Sequence, residues 1–241
     1  MLKVLTCDYW NTLVREKGSE TTGRVVMERL TRILRAYGQE RPRAVVAEAT
    51  GACRDLVMAG QVKEGRETPP EEQVAWILAR LGVELTPDLV QAVHAAYITA
   101  ALEEMPEPVP GVTAVLPELS RRLRLAVICN TGRTPGSTAR IILERLGLAG
   151  YFTHLTFSNE EGVAKPHPAI FQRTLAALGV EPQEAAHIGD DPRTDVKGAR
   201  AVGMHALWFN PHGRTDAVPC DLELHCWEDI LPWVREELGR A

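Results

Sequence analysis

Residues 2–14 read LKVLTCDYWNTLV. Leu2–Thr6 is short, apolar and β-branched enough for a buried strand. Asp8 follows it, Thr12 comes four residues later, and Trp10 stands where a second carboxylate would complete an acid/base pair. Beyond Thr12 the pattern becomes helical. Thr22–Tyr37, Arg43–Met58, Pro70–Leu81 and Pro87–Glu104 each read as an amphipathic helix, punctuated by Gly38, Gly60, Gly82 and Pro106. In the second, Val45, Val46, Ala49, Cys53, Leu56 and Val57 fall on one stripe. Thr86-Pro87 opens the fourth in cap-then-proline order. This block contains no strand candidate.

EPVPGV, residues 107–112, is a proline-rich return, and the rhythm then alternates. Helices are expected at Val115–Arg122, Ser137–Leu146, Ala169–Leu178 and Thr194–Val202, and strands at Leu125–Cys129, Leu155–Phe157, Ala185–Ile188 and His205–Phe209. Such alternation predicts an α/β fold, with a parallel sheet covered on both faces. The helical block is then an insert after the first strand. Residues 1–14 and 107–241 form the expected core domain, and residues 15–106 the insert.

The 241 residues are 45% apolar and 24% charged, which supports a packed core and argues against disorder. A net charge of −5 without a basic stripe argues against nucleic-acid binding. No apolar run approaches membrane-spanning length, and the first residues lack the pattern of a signal peptide. Cys7, Cys53, Cys129, Cys220 and Cys226 are odd in number and scattered, with no CxxC, which suits a reducing cytoplasm. Cys7 and Cys129 read as small buried residues rather than reactive thiols. His94, His187 and His205 read as packed histidines, Trp208 and Trp227 as packing residues, and no HxH or HExxH spacing suggests zinc.

Chemistry in open parallel sheets sits beyond the carboxyl ends of the strands. Asp8 follows the first strand, Asn130-Thr131-Gly132 the second, and Gly189-Asp190-Asp191, then Asp195, the strand ending at Ile188. Lys165 precedes the helix at Ala169. Singly, each has an ordinary reading as a turn former, a solvated loop charge or a helix cap. Jointly, they converge on one sheet edge.

In order, DYWNT (8–12), Thr131 in VICNTG, Lys165 in AKPHPAIF and the acidic IGDDPRTDVKGA resemble the four motifs of the haloacid dehalogenase superfamily. Most members are phosphatases and phosphotransferases. The resemblance implies a Rossmann-like parallel-sheet core with an all-helical cap. It implies Asp8 as nucleophile and Lys165 as the neighbouring cation. It also implies Mg²⁺ held by Asp8, Asp190 and the main-chain carbonyl of Trp10. Thr131, the Gly132 amide and Lys165 would hold phosphate oxygens, with Asp191 and Asp195 steadying Lys165 or metal waters. The expected partner is a small phosphorylated substrate, with no nucleic acid or membrane, for a cytoplasmic monomer or homodimer.

Trp10 departs from the family pattern D-x-D-x-T. The second aspartate of that motif lends its carbonyl to the metal and its carboxyl to proton transfer. Any residue keeps the first role, but an indole N–H has no useful acidity. The departure leaves room for a substrate with a good leaving group, for halide displacement at carbon, for a cap amine such as Lys17 or Lys63, or for a phosphate-binding scaffold without turnover. The dehalogenases carry a Ser-Ser-Asn-like fourth motif, whereas this chain has Gly189-Asp190-Asp191. Carboxylates beside Asp8 without a cation would repel its charge. The favoured reading is a Mg²⁺-dependent phosphatase or phosphotransferase, then a metal-free haloacid dehalogenase.

Overall fold

The computed structural model describes residues 1–18, 21–215 and 218–239. Val4–Cys7 forms β1, buried throughout, and Val14–Arg15 forms the short β2. Four helices follow: α1 (Thr21–Ala36), α2 (Arg43–Glu64), α3 (Pro70–Leu81) and α4 (Pro87–Ile98). They pack around an apolar cluster of their own that includes Val26, Leu30, Leu34, Cys53, Ile77 and Val93. Thr86 caps α4 by accepting from the Leu89 N–H at 3.3 Å. β3 (Glu107–Pro108) then pairs antiparallel with β2, Arg15 opposite Glu107, so the chain leaves and re-enters the core at one neck.

The remaining elements are α5 (Val112–Leu119), β4 (Arg124–Cys129), α6 (Gly136–Arg145), β5 (Phe152–Phe157), α7 (Ser158–Glu161), α8 (Pro168–Leu178), β6 (Ala185–Gly189), α9 (Lys197–Ala201), β7 (His205–Phe209), β8 (Leu222–Leu224) and α10 (Ile230–Gly239). Six strands form one parallel sheet in the order β5-β4-β1-β6-β7-β8. The chain builds outward from β1 to one side, then returns to build the other. β1 therefore lies at the reversal of strand order, where an open parallel sheet forms its crevice. Leu5, Cys7, Val127, Cys129 and Ile188 bury one face with Trp227, while Val4, Ala126, Ile128, Phe171 and Trp208 bury the other.

Several boundaries differ from the sequence expectation for local reasons. α2 runs six residues past Met58, through Gly60, and stops at Gly65, whose φ of 62° suits glycine and whose N–H bonds the Gln61 carbonyl. α4 ends at Ile98, not Glu104: the Thr99 hydroxyl donates back to Ala95 O at 2.7 Å, and Arg29 takes Ala96 O. The helix expected at Thr194–Val202 is present over Pro192–Ala201, but it opens with a wide π-helical turn, Pro192–Val196, that runs into α9. That turn brings Asp195 inward, where its carboxylate accepts the Asp191 N–H at 3.0 Å. β2, β3, β8 and α10 carried no sequence signal of their own.

Candidate active site

Three loops meet beyond the ends of β1, β4 and β6. Because β4 and β6 flank β1 directly, the residues after them converge on Asp8. The Lys165 ammonium sits at the centre, 1% exposed, and donates to Asp8 Oδ1 at 2.5 Å, Ile128 O at 2.6 Å and Asp195 Oδ1 at 2.7 Å. Its three protons thus meet three acceptors. Asn130 fixes the Lys165 backbone from the neighbouring loop, its Oδ1 accepting from Lys165 N at 2.7 Å and its Nδ2 donating to Lys165 O at 2.9 Å. His187 supports Asp195 at 3.2 Å through Nε2, while its Nδ1 lies 2.8 Å from Thr6 Oγ1.

These contacts set the charges. Burial works against the ammonium, yet Asp195 and Asp8 hold Lys165 well above the usual lysine range. Burial likewise opposes ionisation of Asp195, but Lys165 and His187 hold it well below the usual carboxylate range. Asp8 is pushed up to about 6 by burial, against the pull of Lys165. Asp190 is pushed up to about 8 by burial and by the charges of Asp8 and Asp195. Asp8, Asp190 and Asp195 each bring a carboxylate oxygen within 4.8 Å of the others. One ammonium faces three carboxylates, so the donor set is all oxygen and short of positive charge, which fits a hard divalent cation.

The pH consequence has a definite sign. Asp8 and Asp190 bind protons more tightly in the folded chain, so their share of stability is full below about pH 4 and is lost as pH rises through about 6 and 8. Asp195 has the opposite sign, its share being lost below about pH 4. In EDTA, Tm should fall between about pH 5 and 8, and Asp190→Asn should flatten that fall in thermal melts.

Asp191 turns away from Lys165, which takes Asp195 alone of this acidic pair. Its Oδ1 caps the following turn at Arg193 N (2.9 Å), and its Oδ2 pairs with the Arg193 guanidinium at 2.7 Å. Thr131 is buried beside the site, and Gly132, at φ 52°, receives Gln73 Nε2 on its carbonyl at 3.0 Å. Trp10 is half-buried, edge-on to Tyr9 at 5.2 Å. It lines a cavity of about 170 Å³ with Asp8, Gln61, Lys165 and Asp190. It also lines an adjoining one of about 340 Å³ with Gln61, Gln73, Tyr97 and Thr131. Lys17 and Lys63 are exposed and line neither cavity. Burial pushes the Cys7 and Cys129 thiols far up, so neither is a nucleophile.

Gly189, ending β6, has no room for a side chain, because a Cβ there would lie 2.5 Å from Asp195 Cβ. Gly189→Ala should displace the Asp195 carboxylate from Lys165 and cost about 1–3 kcal/mol in urea unfolding.

The sequence profile of the haloacid dehalogenase-like hydrolases matches residues 2–203. The chain belongs to this family of hydrolases. Among relatives, the glyceraldehyde 3-phosphate phosphatase of Pyrococcus furiosus is 37% identical over 169 residues, 68% of this chain and 68% of that protein. The phosphoserine phosphatase of Thermus thermophilus is 42% identical over 101 residues, 42% of this chain and 40% of that protein. The 2-haloacid dehalogenase of Pseudomonas syringae pv. Tomato DC3000 superposes with a TM-score of 0.73 at 24% identity, covering 99% of this chain and 100% of that one. At that identity the likeness establishes the fold alone. No helix among the described residues is long and apolar enough to cross a membrane.

Within this family frame, four contributors escaped the motif reading: Asn130 as a clasp on the Lys165 loop, Ser158, Gln61 and Glu67. Ser158 directly follows β5, so the rule that found Asp8 and Thr131 would have found it too. Gln61 and Glu67 belong to the helical block, whose sequence carries no strand ends to point at them.

Proposed function

We propose that the chain is a divalent-cation-dependent phosphatase that forms an aspartyl-phosphate at Asp8. Its substrate is a small phosphorylated molecule whose leaving group departs without help from a proton donor. The observation that carries this reading is the buried Lys165 ammonium on Asp8 Oδ1, with the Asp190 carboxylate beside it. Relatives named as phosphatases support it.

Lys165 occupies Oδ1 of Asp8 and leaves Oδ2 as the attacking atom. The Oδ2–phosphorus bond forms as the ester P–O bond breaks, and the leaving oxygen keeps the bonding pair. Thr131 and the Gly132 amide hold the non-bridging oxygens as charge builds on them. Water then attacks phosphorus, giving its proton to a phosphate oxygen, and the P–Oδ2 bond breaks with its electron pair returning to Asp8. Asp8, Asp190 and the Trp10 carbonyl would hold Mg²⁺, which when bound supplies positive charge for the phosphoryl oxygens. Helices α1–α4 act as a cap that excludes water and selects the substrate.

Proton transfer is the weak point of this site. Position 10 offers no acid for an alkoxide and no base for the second step. Aryl, acyl or nucleotide-type phosphates are therefore the fitting substrates. The test is phosphate release from p-nitrophenyl phosphate with Mg²⁺, with Asp8→Asn as background. Turnover in the wild type alone supports the reading, and none with any divalent ion removes it. Chloride release from L-2-chloropropionate in EDTA would replace it with dehalogenation, a reaction the family name includes and one that needs no proton on the leaving group.

A further inference from the structure

Glu67 lies between α2 and α3 in GRETPP, residues 65–70, and is only 6% exposed. Its Oε1 accepts from Thr68 N at 2.9 Å, and its Oε2 accepts from Gln61 Nε2 at 3.1 Å and from the Ser158 hydroxyl. Ser158 Oγ in turn accepts the Thr131 N–H at 2.8 Å and lies 3.1 Å from Thr131 Oγ1. Among the described residues no cation pairs with Glu67. Burial pushes its carboxyl up, and the hydrogen bonds from Ser158, Thr68 and Gln61 only partly offset that push.

A serine hydroxyl has one proton and two lone pairs. Held by Glu67, Ser158 Oγ braces Thr131 at two atoms, its backbone N and its Oγ1. Without Glu67, the Ser158 side chain is free to rotate and Thr131 loses that brace. The segment that carries Glu67 also grips the Lys165 loop. Ala164 N donates to Gly65 O at 2.8 Å, and Arg66 bridges Val163. Gly65 packs so closely that a Cβ would meet His167 Cβ at 2.6 Å. One stretch of the helical block therefore touches both phosphate-side loops.

We infer that Glu67 is a positioning residue of the phosphate site. Through Ser158 it sets the orientation of Thr131, and it ties that orientation to the seating of the helical block on the core. The inference rests on the phosphatase reading for what Thr131 holds, but not for the linkage itself.

The test uses steady-state kinetics on p-nitrophenyl phosphate and inhibition by inorganic phosphate. Glu67→Ala should raise KM and the phosphate Ki by about tenfold or more, with kcat changed by less than about threefold. Glu67→Gln keeps an acceptor for Ser158 and should restore most of the affinity. Ser158→Ala should match Glu67→Ala, and the double variant should be no worse than either, as expected for one shared chain of contacts. An unchanged KM in Glu67→Ala, a Gln variant as impaired as the Ala variant, or additive effects would overturn the inference. If the wild type turns over nothing, the phosphatase reading falls separately, and the linkage is then read by amide hydrogen exchange at Thr131. Exchange there should quicken by about tenfold in Glu67→Ala but not in Glu67→Gln. Equal exchange in wild type and Glu67→Ala would overturn it.

Discussion

Trp10→Asp is expected to raise turnover of alkyl phosphates such as glycerol phosphate by about a hundred- to ten-thousand-fold, the usual worth of a positioned general acid. Trp10 lines the cavity that Asp8, Lys165 and Asp190 share, so a carboxyl at this position faces the reacting atoms. An alkoxide leaves poorly without a proton, whereas p-nitrophenolate leaves readily. The gain should therefore be confined to poor leaving groups, with p-nitrophenyl phosphate changing by less than about tenfold. The readout is the ratio of kcat/KM for the two substrates. No change in that ratio would place the proton donor elsewhere in the cavity. A loss on both substrates would mean that the indole is needed to shape it.

Lys165→Met should abolish turnover and also destabilise the fold. The ammonium is buried and bonded to Asp8, Asp195 and Ile128 O. Its removal strands two largely buried carboxylates beside each other without a cation. Breaking such a network from one side costs about 3–5 kcal/mol. For a chain of this size the melting temperature should fall by roughly 6–20 °C. The deficit has a pH signature. Without the cation, Asp8 and Asp195 repel each other and bind protons more tightly in the folded chain, so the gap to wild type should narrow as pH falls toward about 5. Thermal melts in EDTA at two pH values read this directly. Lys165→Arg should not rescue activity, because the pocket leaves the side chain only 1% exposed and a guanidinium is larger. A Met variant as stable as wild type at pH 7 would show that the two carboxylates find other partners.

The parallel sheet was legible because its strands are apolar runs separated by helices at regular intervals, and chain direction then follows from the connections. Asp8, Thr131 and Asp190 were legible for the same reason, since a strand's last residue fixes which polar side chain reaches the crevice; Lys165, in the loop before α8, was legible through its place in the family resemblance. Position relative to a strand end does not specify a carboxylate's partner, however. Asp191 and Asp195 are four residues apart in one acidic run, and only the widened turn at 192–196 decides that Asp195 meets Lys165 while Asp191 turns to Arg193. The partners that Asp195 meets there, Lys165 and His187, come from other parts of the fold and leave no local pattern in the sequence. Glu67 was hidden in a different way. Its sequence neighbours, Arg66 and Thr68, give it the look of a solvated turn, and its burial comes from Ser158, ninety-one residues away. β8 escaped because the three residues of LEL are too few for a periodicity.

The neck where β2 pairs with β3 has a consequence for how such a chain can change over time. Val14 faces Pro108 and Arg15 faces Glu107, so entry and exit of the helical block are adjacent. No strand of the sheet takes its register from that block. Insertions, deletions or wholesale exchange between residues 15 and 107 would leave the six-stranded scaffold with the same neighbours. Selection can thus revise the helical block without changing the order or the register of the six strands.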